Sequence, residues 1–179
     1  METDSLSDRQ GGFVVGIEQD IERIESQMRS LQFEGFDLDA AWSVGRHLRD
    51  LASERGQTLS IDIQINGQQA FFAALPNARP DFEYWIRRKR NLVLRFLRPS
   101  YLIGLELSLQ GTTLEEKWGL PTADYAAHGG GFPIVVKGVG CIGAVTVSGL
   151  PQRLDHNLVV EALAIQLGHN VGEIALAEG

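Results

Sequence analysis

The chain has little of what would place it outside the ordinary globular class. It holds one cysteine, Cys141, in 179 residues. A single thiol excludes an intramolecular disulfide framework and a cysteine-only zinc site, and it fits a reducing compartment. No apolar run approaches the roughly 18 residues of a membrane span, so no membrane association is expected. Met1 to Gly12 is polar, carries Glu2, Asp4 and Asp8, and lacks a signal-peptide core. Residues 1–12 therefore read as a disordered extension, and the expected location is cytoplasmic. Cations are in deficit: 16 Lys and Arg against 23 Asp and Glu give a net charge of −7. That excludes nucleic acid as the expected partner, because phosphate binding needs a concentrated basic surface.

What remains is a typical folding chain, 44% hydrophobic and 22% charged. A globule of this length buries roughly 70% of its unfolded surface and needs neither disulfide nor structural metal. No repeat or linker divides it, so residues 13–179 read as one domain.

Ile17, Ile21, Ile24, Met28 and Leu31 recur at helical spacing. A second helix starts at Asp37 or Asp39, either of which can cap it, and runs to Gly56. Ile61, Ile63 and Ile65 alternate with Asp62, Gln64 and Asn66, the pattern of a half-buried strand. Asn66-Gly67 signals a hairpin turn back into Gln69 to Leu75. A helix follows from about Asp81 to Leu97, broken by Pro99. Ser100 to Gln110 is too apolar throughout for period to decide between helix and strand. Thr113 and Glu116 match a capping box. Phe132 to Val136 and Cys141 to Val147 form a second hairpin, and Gln152 to Leu167 a last helix. Hairpins imply antiparallel pairing, so the class is α+β.

Four stretches could carry chemistry. Gly138-Val139-Gly140-Cys141-Ile142-Gly143 fits G-x-G-x-x-G, but Ala144-Val145-Thr146-Val147 follows it, which reads as strand. A dinucleotide fingerprint must open a helix, so these glycines predict a hairpin turn and close backbone approach. In the 81–97 helix, Phe82, Trp85, Ile86, Val93 and Phe96 form one stripe. Lys89 falls inside it, with Arg88, Asn91 and Arg95 on a neighbouring face. An ammonium there must snorkel, pair with a carboxylate or meet a bound anion. His128 precedes Gly129, Gly130, Gly131 and Phe132. The glycines permit close approach of a ligand or partner, and the histidine could bind an anion, ligate a metal or transfer a proton. Tyr125 is a candidate donor or a packed aromatic. Last, Ser148-Gly149-Leu150-Pro151 enters the final helix, where free N–H groups favour anions. Ser148, Asp155 and His156 are triad residue types. There is no G-x-S-x-G elbow, and neighbouring helical residues point about 100° apart. Cys141 reads as core.

Taken together, Arg79-Pro80-Asp81, Trp85 to Asn91, Tyr125 to Ile134, Gly138-Val139-Gly140, Ser148-Gly149-Leu150 and Asp155-His156 resemble an uncharacterised family within the HbpS/GlcG-like superfamily, whose members are often labelled haem-degrading-type domains. The resemblance covers about Ile17 to Leu167. It implies a profilin- or PAS-like antiparallel sheet flanked by helices, with a helical hairpin at the N-terminus. It also implies homodimers that can build larger rings. Phe82 and Pro99 stand where such relatives tend to carry Asn and Ser. The expected function is a small-ligand-binding homo-oligomer without demonstrated catalysis. Its site would use Trp85, Arg88, Lys89, Tyr125, His128, Gly129, Gly130, Gly131, Phe132 and Ser148 to take a small anionic ligand. The alternatives are non-covalent haem on His128 or His156, and a scaffold for protein partners.

Overall fold

The computed structural model describes the backbone of residues 5–177 and the side chains of residues 16–177. Helix α1 (Ser5–Ser30) includes residues 5–12, which polarity assigns to a disordered extension; residues 1–4 lie outside the described residues. Its anchor is the predicted stripe, with Ile17 and Ile24 buried against Tyr101, Leu102 and Leu105. A two-residue strand, β1 (Gln32–Phe33), leads to α2 (Leu38–Glu54). Of the two candidate caps Asp37 is used, accepting the Ala40 N–H at 2.9 Å. Strands β2 (Ser60–Ile65) and β3 (Gln68–Ala74) meet at Asn66-Gly67, whose φ angles of 50° and 80° explain the residue choice. Then come α3 (Asp81–Phe96), α4 (Ser100–Gln110), α5 (Leu114–Trp118), β4 (Gly131–Val136), β5 (Gly140–Ser148), α6 (Gln152–Leu167) and α7 (Val171–Ile174).

The ambiguous segment 100–110 is helical. Its period is blurred because α4 is enclosed: Tyr101, Leu102 and Leu105 face α1, while Ile103 and Leu107 pack with Leu92, Leu114 and Leu120.

The sheet runs β1-β4-β5-β2-β3. All pairs are antiparallel except β1 with β4, so the sheet is mixed at one edge. One face carries Ile61, Ile63, Phe71, Phe132, Ile134, Val145 and Val147 into the main core with α2 and α6. The other lies under α3 and holds Asp62 opposite Thr146 and Ser60 opposite Ser148. Ser60 and Asp62 are buried, so β2 is covered on both faces and not half-buried as its alternation predicts. The predicted turn role of Gly138 and Gly140 holds, with φ of 74° and 106° between β4 and β5. A Cβ on Gly143 would lie 1.9 Å from Gln64 O, so this glycine admits strand β2.

Candidate functional site

Charge placed under α3 must be partnered to be tolerated. Lys89, 3% exposed, donates to Asp155 Oδ2 at 2.9 Å and to Val147 O at 3.1 Å. Asp155, in the first turn of α6, also accepts the Leu150 N–H at 3.1 Å through Oδ1. The stripe lysine thus pairs with a carboxylate and ties α3, the end of β5 and the start of α6 together. Burial lowers the Lys89 pKa and raises that of Asp155, each partly offset by the other's charge. Nearby, Arg90 meets Asp62 at 2.7 Å, and Gln69 donates to the other oxygen of Asp62 at 2.7 Å. Arg87 pairs with Asp124 at 3.0 Å.

Beside the Lys89 pair a cleft of about 240 Å³ opens between α3 and the β5–α6 turn, lined among others by Arg79, Phe82, Trp85, His128, Ser148 and Gln152. Its chemistry differs from that of the pairs. Arg79 lies over the Phe82 ring at 5.2 Å and Arg88 over the Trp85 ring at 4.4 Å, and neither has a carboxylate partner among the described residues. Arg88 Nε is buried with no acceptor. The His128 imidazole stands edge-on to Trp85, ring centres 5.0 Å apart, and hydrogen-bonds none of the described residues. Partial burial first, then the charges of Lys89 and Arg88, hold its pKa below the usual histidine range. Ser148 is buried, and its hydroxyl has no partner among the described residues. Asp81 and Asp155 supply the only carboxylates lining the cleft among the described residues, and Asp155 is already paired.

The structure therefore brings Trp85, Lys89, His128 and Ser148 together and sets Arg88 against their edge. The other predicted residues do not line this cleft. Tyr125 packs with the Leu92–Leu114 cluster, has Arg95 5.9 Å from its ring centre, and lines a separate cleft of about 290 Å³ with Arg88 and His128. Phe132 is fully buried in the main core on the opposite face of the sheet, because in β4 its neighbours Gly131 and Pro133 take the α3 side. Each of the three glycines admits a neighbouring element of the chain itself. A Cβ would lie 1.8 Å from Gln152 O at Gly129, 2.5 Å from Val147 O at Gly130 and 2.8 Å from Val93 Cγ2 at Gly131. His156 is buried beside Tyr101 and Phe132 with Nε2 2.8 Å from Gln27 Oε1, and burial pushes its pKa down to about 3. It can serve neither as a haem ligand nor, with Asp155 held by Lys89, in a triad with Ser148.

Three contributors, Asp155, Ser100 and Gln152, lie outside the predicted set of ligand-binding residues. Asp155 carries a usable signal: with Leu158, Val159 and Ala162 it forms a buried helical stripe, and two opposite charges on two apolar stripes call for each other. Ser100 gives no such signal. Its buried Oγ donates to His128 O at 2.5 Å and accepts the Gly131 N–H at 3.0 Å, fixing the loop that carries His128. Gln152 reaches the cleft from the first residue of α6.

A family model described as "Haem degrading protein HbpS-like" matches residues 36–164. Among curated relatives, a "UPF0303 protein" of Rhizobium rhizogenes is 57% identical over 90% of this chain and 99% of its own length. Another, of Paraburkholderia phymatum, is 52% identical over 90% and 98%. Among solved structures, the Ybr137w protein superposes with TM-score 0.77 at 28% identity, covering 83% of this chain and 88% of that one. HbpS superposes with TM-score 0.60 at 25% identity, covering 77% and 94%. No described helix is long and apolar enough to cross a membrane.

Proposed function

The chain belongs to the haem-degrading HbpS-like family, and from that premise we propose that it is a homo-oligomeric small-ligand-binding protein whose α3/α6 cleft takes a small anion. One observation carries the reading: Lys89 and Asp155 in the cleft wall satisfy each other, while Arg79, His128 and the Ser148 hydroxyl that line it have no partner among the described residues. Arg88, stacked on Trp85 at its edge, has none either, and Asp81 is the one unpaired carboxylate among the described lining residues. Unpartnered donors converging on a concave surface are what an oxyanion needs. A cleft of about 240 Å³ suits a compact ligand, since drug-sized pockets run from roughly 300 to 1,000 Å³. Trp85 and Phe82 supply its apolar wall.

The test is a melting-temperature titration with phosphate, sulfate, oxalate and malonate. A saturable rise with at least one of them is expected, diminished in Ser148→Ala and His128→Ala. It should strengthen as pH falls from 8 to 5, because His128, with its pKa below the usual histidine range, gains its charge toward the acid end of that interval. No saturable rise with any of the four, or a rise untouched by both substitutions, overturns the reading.

A second reading rests on His128 alone. Its other side faces a larger cavity, about 710 Å³, with Ile17, Tyr101 and Leu105 among its walls. Haem fits there better than in the small cleft because the cavity is larger and the imidazole is free of hydrogen bonds to the described residues; the partial burial that lowers its pKa favours the neutral form an iron ligand needs. His128 would hold such a haem, which supplies an iron centre, while Arg153 at the cavity rim is already engaged by Asp20. A haemin titration followed in the visible range separates the two readings. A stoichiometric Soret shift lost in His128→Ala favours haem; a weak, unsaturable shift shared by both proteins removes it.

A further inference from the structure

Four cations stand in a row on α3, and three of them are answered. Arg87 pairs with Asp124, Lys89 with Asp155 and Arg90 with Asp62. Arg88 has no carboxylate partner among the described residues, yet its Nε is buried and lacks an acceptor. Its guanidinium carbon lies 4.4 Å from the Trp85 ring centre. That stacking uses the face of the guanidinium and not the N–H groups in its plane. A buried donor left without an acceptor costs free energy until a ligand or water supplies one.

Arg88 borders the α3/α6 cleft without lining it. It does line a second cleft, of about 290 Å³, whose walls share only His128 with the first. Leu107 of α4, Leu114 of α5, and Tyr125, Ala126 and Ala127 of the loop before β4 supply its apolar surface. None of its lining residues is acidic. Glu116, which bonds the lining residue Thr113, is spent on the cap of α5, its Oε2 accepting the Thr113 N–H and hydroxyl at 3.0 Å each. The walls are also fixed in place. Ala126 N–H donates to Arg88 O at 3.2 Å and Asn91 Nδ2 to Asp124 O at 2.9 Å, holding the loop on α3. Against α4 the loop packs at Gly104, where a Cβ would lie 2.2 Å from Ala127 O.

We propose that this α3/α4/α5 cleft is a second ligand site, and that it binds a monocarboxylic acid with a short apolar body, the carboxylate on Arg88. A guanidinium matches the two oxygens of a carboxylate in its own plane. The leucines and alanines remove the hydrocarbon part from water. A dianion finds no second cation here, because partial burial, then the charges of Lys89 and Arg88, disfavour the charged form of His128. A sugar or polyol leaves the apolar wall unused. The site stands whether or not the α3/α6 cleft takes an anion.

The experiment is a melting-temperature titration of the full chain with hexanoate and benzoate, beside 1-hexanol, which carries an apolar body without the charge. The variants are Arg88→Gln, Thr122→Trp and Ser148→Ala. Thr122 is an exposed loop residue that lines this cleft, so tryptophan there fills it and keeps the test open if Arg88→Gln fails to fold. Ser148 lines the first cleft and not this one. Far-UV dichroism confirms folding. A saturable rise with at least one acid is expected, its half-maximal concentration increasing about ten-fold in Arg88→Gln and Thr122→Trp but not in Ser148→Ala. No saturable rise with either acid, an equal rise with 1-hexanol, or affinity retained by the folded cleft variants overturns the site. Affinity lost in Ser148→Ala and kept in Thr122→Trp overturns it as well, and moves the acid to the α3/α6 cleft.

Discussion

The two faces of the sheet are packed by opposite chemistry. Against α2 and α6 the inward residues are aliphatic or aromatic, and the one ionisable group in that layer among the described residues, His156, is held neutral. Against α3 the same strands present Ser60, Asp62, Thr146 and Ser148, and the helix answers with Lys89 and Arg90. The first face stabilises by removing apolar area from water. The second gains little net stability from its buried pairs, because desolvation offsets much of the Coulomb attraction. What it provides is directional anchoring of α3 and α6 next to the cleft. A site needing fixed donors sits better on the second kind of surface.

Acid should separate the faces most strongly. His156 has a folded pKa of about 3 against the usual 6.5, so the native state binds fewer protons than the unfolded one between those values. The stability that neutral His156 represents is complete above pH 6.5 and is lost as pH falls toward 3, in all about 5 kcal/mol. Urea midpoints from pH 7 to pH 4 should fall steeply, and His156→Gln should flatten the slope. An unchanged slope would mean that His156 is not the group responsible. Next in size, Lys89→Met leaves Asp155 buried and unpaired and should cost about 3–5 kcal/mol, with Lys89→Met/Asp155→Leu recovering most of it. If the double variant is no better than the single, the pair is not the unit that holds the second face. On the first face, Ile63→Val should cost about 0.5–1.5 kcal/mol, the ordinary cost of one buried methyl group. Smallest of all, His128→Ala should move stability by less than about 0.5 kcal/mol while diminishing the anion response. A large loss of stability there would make the histidine structural.

How much of this is legible in the residues follows from the same division. The apolar face obeys periodicity, so its helices and both hairpins can be read directly from spacing. The Asn66-Gly67 turn and the rejection of a nucleotide fingerprint at Gly138 to Gly143 come from local rules that tertiary context does not alter. Segment 100–110 escapes those rules because burial on opposite sides erases the amphipathic signal. On the polar face, the need for Lys89 to find a partner is readable, but the partner lies 66 residues away and only the fold brings it within reach. The three glycines signal close approach without saying of what, and what approaches is backbone and side chain of this chain. Phe132 is misplaced by its association with the glycine run, since Gly131 beside it faces α3 and successive strand residues point to opposite faces.

The edge-on meeting of Trp85 with His128, and the stacking of Arg88 on the same indole, give the cleft an optical consequence. Of the three tryptophans, Trp42 is largely in water and Trp118 packs on Phe96 away from the cleft, which leaves Trp85 as the indole whose surroundings change when the cleft fills or the imidazole gains a proton. Subtracting the emission of Trp85→Phe from that of the unaltered chain isolates this one lamp. Occupancy and histidine titration can then be followed without a dye or a label, whatever the ligand is.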